Sequence, residues 1–230
     1  MNGPKLIFQL PFGINITETV FLSWCIIVAV ALLLLYLTHD MEKVPTKKRQ
    51  VIAEWIVETM NNLVKENMGE KFMGFAPYIA GLFTYSILGS LIGLIGLRPV
   101  TADINTTATW AVTTALMVQI VKIRTSGFGG YLKGFAETVA AITPLNIISE
   151  FSTPVSMAFR HFGNIAAGMV ISSLIYMGLA SLSAAIHLPI PLLQVGLPAI
   201  LSLYFDIFSG FMQAYIFCML TMVFISSAAE

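Results

Sequence analysis

Residues 161 to 205 run for 45 positions without an aspartate, glutamate, lysine or arginine. About 20 predominantly apolar residues are enough for a helix to cross the hydrocarbon core of a bilayer, about 30 Å thick, so this stretch is more than twice the required length. The rest of the chain cannot supply a polar exterior to enclose it. Of 230 residues, 57% are hydrophobic and 10% charged, and the mean hydropathy is +0.84. A chain of this kind folds as a polytopic membrane protein.

The stretches between charged residues define the remaining crossings. Spans are expected over 19–39, 72–97 and 104–121, the last shorter than the others, followed by two long helices over 146–186 and 193–227. Residues 46–68 read differently. Ile52, Trp55, Ile56, Met60, Leu63 and Val64 recur at three- and four-residue steps among charged neighbours, the pattern of an amphipathic helix lying in the membrane interface. No alternating ten-residue pattern of a membrane barrel is present. The expected fold class is therefore an all-α integral membrane protein of one domain, 1–230, with five crossings and one interfacial helix.

Orientation follows from where the cations lie. Lys43, Lys47, Lys48, Arg49, Lys65 and Lys71 fall between the first two spans, and Lys122, Arg124 and Lys133 follow the third, whereas Lys5 and Arg98 stand alone on the opposite side. Because lysine and arginine are retained in the cytoplasm, the N-terminus is expected outside and the C-terminus inside. The first residues lack a basic n-region and a small-residue cleavage site, so the first span is expected to be retained.

The last third is geometrically awkward. Forty helical residues from Asn146 to Ala185 extend roughly 60 Å, so such a helix lies steeply tilted, turns at His187 to Pro191 and returns as a second long helix, bent at Pro198. Arg160 sits inside the first of these. Arginine at mid-bilayer costs about 2.5 to 3.5 kcal/mol on insertion scales, which makes an intramembrane cation a functional candidate by default. Thr153, Ser156, Arg160, Asn164 and Ala167 share one helix face, and Ser202, Asp206, Ser209, Gly210 and Gln213 share another. Glu150 lies ten residues from Arg160, about 15 Å along a helix and too far for a direct pair. A static Arg160–Asp206 bridge is one reading; a carboxylate on another subunit is the other.

Other residue types exclude more than they add. Net charge is zero, with twelve basic and twelve acidic residues, so nothing electrostatic points to nucleic acid. Cys25 and Cys218, each within an apolar run and without a CxxC or histidine-rich neighbour, read as small core hydrophobes. No cofactor or metal motif is legible, and neither is a Ser/His pair, a pair of intramembrane aspartates or an HExxH motif.

Pro154 to Gly168, PVSMAFRHFGNIAAG, preceded by RPVTADINTT and followed by FSGFMQAYIFCMLTMVFIS, resembles subunit a of the rotary F-type ATP synthase of bacteria, from about Pro77 onward. The resemblance implies a non-catalytic stator subunit in the bacterial inner membrane. Its partners would be the ring of c subunits, the b subunits of the peripheral stalk, membrane lipid and, indirectly, the soluble F1 head. It implies further that Arg160 faces the ion-carrying carboxylate of each passing c subunit. Asp206 would relay ions in an outer half-channel, Asn164 and Gln213 would line the path near Arg160, and Glu150 would line an inner half-channel. Asp103 would cap the next helix or, with His187, stand at the outer entrance. Many relatives carry glutamate nine residues after the arginine, where this chain has Met169, so the outer path would depend on Asp206 and water. A secondary transporter or stand-alone channel is the competing class; such proteins usually contain a repeated half, and no self-similar pair is visible here.

Overall fold

The computed structural model describes residues 5–9, 15–45, 47–136, 143–187, 194, 201 and 203–229, with side chains omitted over 132–147. The expected turn at His187 to Pro191, apart from His187 itself, and the bend at Pro198 lie outside the described residues. The chain is overwhelmingly helical. Two short strands not anticipated from the sequence, β1 (Leu6–Gln9) and β2 (Asn15–Thr17), pair antiparallel ahead of the first helix.

Helix α1 (Glu18–Thr38) carries its one acidic residue, Glu18, in the first turn, where the helix dipole favours negative charge. Only Thr19, Leu22 and Ile26 of α1 are buried; the rest of its apolar surface faces outward, as lipid contact requires. Helix α2 (Lys48–Met68) ends at Gly69, whose φ of 83° lets its N–H bond to the Lys65 carbonyl at 2.9 Å, a left-handed stop that only glycine adopts without strain. Of the expected apolar stripe on α2, Val64 enters the core whereas Ile52, Trp55 and Ile56 stay exposed. The helix packs at both ends, through Gln50 and Ala53 near its start and Val64 and Met68 near its end, while Ile52, Trp55 and Ile56 are left facing outward.

A 3-10 turn (Glu70–Phe75) leads into α3 (Ala76–Leu91), with Pro77 in its first turn, where a missing N–H leaves no bond unmade. Two further 3-10 turns, Ile92–Ile95 and Val100–Ala102, precede α4 (Ile104–Ala136). Gly127, at φ 70° and ψ 164°, interrupts α4, so its regular part runs from residue 104 to 126. Helix α5 (Thr143–Ala185) is 43 residues long and contains Pro154. A π-helical segment (Leu203–Ser209) then continues into α6 (Gly210–Ser227).

Four segments are long and apolar enough to cross a membrane: Glu18–Thr38, Glu70–Ile95, Ile148–Ala185 and Leu203–Ser227. The core forms where α2 to α6 converge, on Val64, Ile79, Met157, Phe217, Met222 and Ile225 among others. Cys218 belongs to this core, but Cys25 does not; it lies on the exposed side of α1, so the expectation of two core cysteines holds for one. Polar side chains on the apolar helices are satisfied locally. Thr38, Thr109, Thr113, Ser173, Ser181 and Ser183 each donate to the carbonyl four residues back, which spares a hydroxyl an unpaired existence in lipid.

Candidate functional site

Helix α5 and the segment 203–227 run past each other in opposite directions. Asn164 Nδ2 donates to Gln213 Oε1 at 2.6 Å, Gly168 lies against Phe205, and Gln194 Nε2 donates to the Tyr176 carbonyl at 2.8 Å. Partner numbers fall along one strand as they rise along the other. Asn164 and Gln213, assigned to different helices from sequence spacing alone, thus meet directly.

Arg160 is exposed on the outward face of α5, next to exposed Phe159 and Ser156, and among the described residues it makes no hydrogen bond or ion pair. The static Arg160–Asp206 bridge is absent. Immediately behind Arg160, His161 is wholly buried, boxed edge-on by Trp110 and Phe217 with ring centroids 5.4 and 5.5 Å away. Its Nε2 reaches Ser86 Oγ at 3.4 Å. One residue of α5 therefore anchors the helix inward while its neighbour is forced outward, since successive helical positions differ by about 100°.

Toward the C-terminal end of α5, Asp206 lies on the π-helical segment. Gly93 lies beside it: a Cβ built there would stand 3.6 Å from Asp206 Oδ1, in ordinary contact, and 3.1 Å from Pro99, so it is chiefly Pro99 that keeps residue 93 small. Since Phe205 packs on Gly168, Asp206 stands roughly 12 Å along α5 from Arg160. The surrounding layer is tight and hydroxyl-lined. Ser90 Oγ donates to the Ser86 carbonyl and contacts Thr101 Oγ1, both at 2.9 Å. A Cβ on Gly210 would fall 2.9 Å from Ser90 Cβ. Asp103 caps α4, its Oδ1 accepting from the Asn105 N–H at 3.0 Å, and its Oδ2 accepts from Thr19 Oγ1 at 2.7 Å. The cap so ties α4 to α1. His187, at φ 54°, is exposed just beyond the end of α5.

Toward the N-terminal end of α5 the packing opens. A cavity of about 560 Å³ is lined by Gln119, Lys122, Ser126, Glu150, Thr153 and others. A second, of about 440 Å³, includes Ser152, Thr153, Ser156 and Arg160. The two share Ser149, Thr153, Met157 and Phe224, so open space with both polar and apolar walls runs from Glu150 up to Arg160. Glu150 is not isolated. It forms an ion pair with Lys122 and accepts from Gln119 Nε2 at 2.7 Å. Sequence spacing missed both partners, since they lie 28 and 31 residues away and only the packing of α4 on α5 joins them. Among the described residues no cluster of three or more metal-ligating side chains occurs.

Comparison with known proteins gives one answer. The family model described as ATP synthase A chain matches residues 20–226. ATP synthase subunit a of Geobacter sulfurreducens is 34% identical, the match covering 90% of this chain and 86% of that protein. The subunit a of Moorella thermoacetica is 30% identical over 97% of this chain and 95% of its own length. A Propionigenium modestum protein named ATP synthase subunit a, sodium ion specific, is 30% identical over 99% of this chain and 86% of its own. With residues 20–226 matched by the family model and these relatives aligned over nearly the whole length, the chain belongs to the ATP synthase subunit a family.

Proposed function

We propose that this chain is the ion-translocating stator of a bacterial ATP synthase membrane sector, with Arg160 as the fixed cation past which the ring of c subunits turns. The observation that carries the proposal is the position of Arg160: a permanent charge exposed on the outward face of an apolar helix, beside the neutral hydroxyls of Ser152 and Ser156, with no counter-charge among the described residues of its own chain. Such a group is costly in a membrane unless a partner supplies the anion. An ion-carrying carboxylate on each c subunit is that anion.

The mechanism follows from the charge. As a loaded c-subunit carboxylate approaches, the guanidinium favours its ionised form and displaces the bound ion. Arginine stays protonated throughout the physiological range, so it also bars direct leakage between the two sides. Ions then reach the ring through two half-channels displaced to either side of Arg160. Asp206, with the space beside Gly93 and Pro99, serves the outer one; the cavities from Glu150 to Arg160 serve the inner one. Asn164 and Gln213 fix the spacing of the two helices beside the arginine. Each elementary charge falling through 100 mV releases about 2.3 kcal/mol, which the ring converts to torque.

In this reading the regular part of α4 is the fifth crossing, α5 and the segment up to residue 227 form the tilted hairpin against the ring, and α2 lies on the cytoplasmic face with the b subunits and lipid. The N-terminus is outside and the C-terminus inside the bacterial inner membrane. The coupling ion is H⁺ or Na⁺, chosen by the ring. Arg160→Ala in the reconstituted holoenzyme is expected to abolish ion-driven ATP synthesis while the complex still assembles; synthesis at the normal rate would overturn the proposal.

A further inference from the structure

The cavity at the inner end of α5 contains its own cation. Lys122 from α4 reaches Glu150 on α5, inside a space that also holds the hydroxyls of Ser126, Ser149 and Thr153. Oxygen donors of this kind suit hard cations. Gln119, which donates to Glu150, has its own Oε1 buried without a hydrogen-bond partner, so acceptor capacity is left over beside the pair. The carboxylate is only 18% exposed and the ammonium 35%, enough burial for their attraction to matter and enough exposure for the lysine to move.

We propose that Lys122 is a tethered counter-ion of the inner pathway: its ammonium occupies the place at Glu150 that a translocated H⁺ or Na⁺ takes, and each passing ion exchanges with it. The inference rests on the reading of this cavity as the inner half-channel. Its physical logic concerns dwell time. A bare carboxylate among Met157, Phe224 and other apolar walls would hold a cation strongly in the low local dielectric, and a trapped ion stalls a conduit. A wall without charge would offer no waypoint. An ammonium on a flexible four-carbon stem neutralises the carboxylate when no ion is present and swings aside when one is. Ions are thereby received without being retained. Nothing equivalent stands beside Asp206, where no cationic side chain is bonded among the described residues.

The test uses the holoenzyme in vesicles with the head group outward, so that the inner face meets the bath, and follows ATP-driven pumping while bath Na⁺ at fixed pH, or H⁺ without sodium, is titrated. The arm that supports pumping identifies the coupled ion. For that ion Lys122→Met is expected to lower the half-saturating concentration about fivefold, within the coupling range of contacting charges, and to reduce maximal turnover because release slows. Lys122→Arg, which keeps the charge, is expected to stay close to the wild type. On a Glu150→Gln background Lys122→Met is expected to shift half-saturation less than about twofold. An equal shift on both backgrounds, or equal shifts from Met and Arg, overturns the proposal. Should Lys122→Met fail to assemble, Glu150→Gln alone decides: the stranded ammonium raises the half-saturating concentration, and no change overturns the inference. Failure of the stator reading looks different, because Arg160→Ala would then leave pumping intact in the same vesicles.

Discussion

The two polar regions flanking Arg160 are built on opposite principles. Toward the start of α5 the side chains are charged, mutually paired and set in open space: Lys122 with Glu150, bordered by a cavity of about 560 Å³. Toward its end they are mostly neutral hydroxyls, close-packed among themselves, with Asp103 bonded to Thr19 and Asp206 making no hydrogen bond among the described residues. Ser86, Ser90 and Thr101 are all nearly or fully buried there. One region tolerates traffic because its charges can exchange partners; the other holds its geometry because small residues let backbones approach, as membrane helices generally do. The difference teaches that water-accessible volume and ionisable groups need not coincide on both sides of such a protein.

The comparison breaks first at Gly210. A leucine there would drive its side chain into Ser90, whose Cβ already lies 2.9 Å from where a glycine substituent would sit, and interiors do not absorb such overpacking. Gly210→Leu is expected to prevent incorporation of the chain into the complex, measured by co-purification with the ring subunits; normal assembly would show that the outer layer is looser than described. Asp206→Asn comes next. It keeps the shape, removes the charge, and is expected to slow coupled transport at least about tenfold with assembly intact, as loss of a positioned proton-transfer group does. An unchanged rate would reduce Asp206 to scaffolding.

Smaller effects test how each region is tied down. Asp103→Ala removes both the α4 cap and the bond from Thr19, and is expected to lower stability by about 1–2 kcal/mol, read as a drop in the thermal transition of the detergent-solubilised protein. At the bottom of the scale stands Lys65–Glu70, an exposed pair 2.7 Å apart at the C-terminal end of α2. Solvent screens so exposed a pair. Lys65→Ala should therefore leave the thermal transition where it was at neutral pH, in contrast to the half-buried pair at Lys122.

Where a feature depends on local spacing, the sequence displayed it. Arg160 and Asn164 share a face because they are four residues apart on a helix, and uncharged stretches mark apolar helices through length alone. Asp103 as a cap was legible for the same reason: its chemistry acts two residues away. Features that depend on tertiary packing were hidden. Nothing near Glu150 in the chain announces Lys122, and nothing near His161 announces Trp110 and Phe217. The amphipathic stripe on α2 was visible, but not that only its end, Leu63 and Val64, would reach the core. The strands of 6–9 and 15–17 are too short for periodicity to show, and Cys25 looked like a core residue because hydropathy cannot separate a lipid-facing wall from a protein interior.

The π-helical stretch of Leu203–Ser209 has a consequence for how this protein can change. Its wider turns advance each residue by a smaller angle than an α-helix does, so the azimuth of Asp206 toward Gly93 depends on how many residues intervene before Gly210 docks on Ser90. Substitutions in that interval alter chemistry one position at a time, whereas losing or gaining a single residue would rotate everything upstream and swing the carboxylate away from its niche. Over those seven positions the chain's residue count is itself a structural constraint.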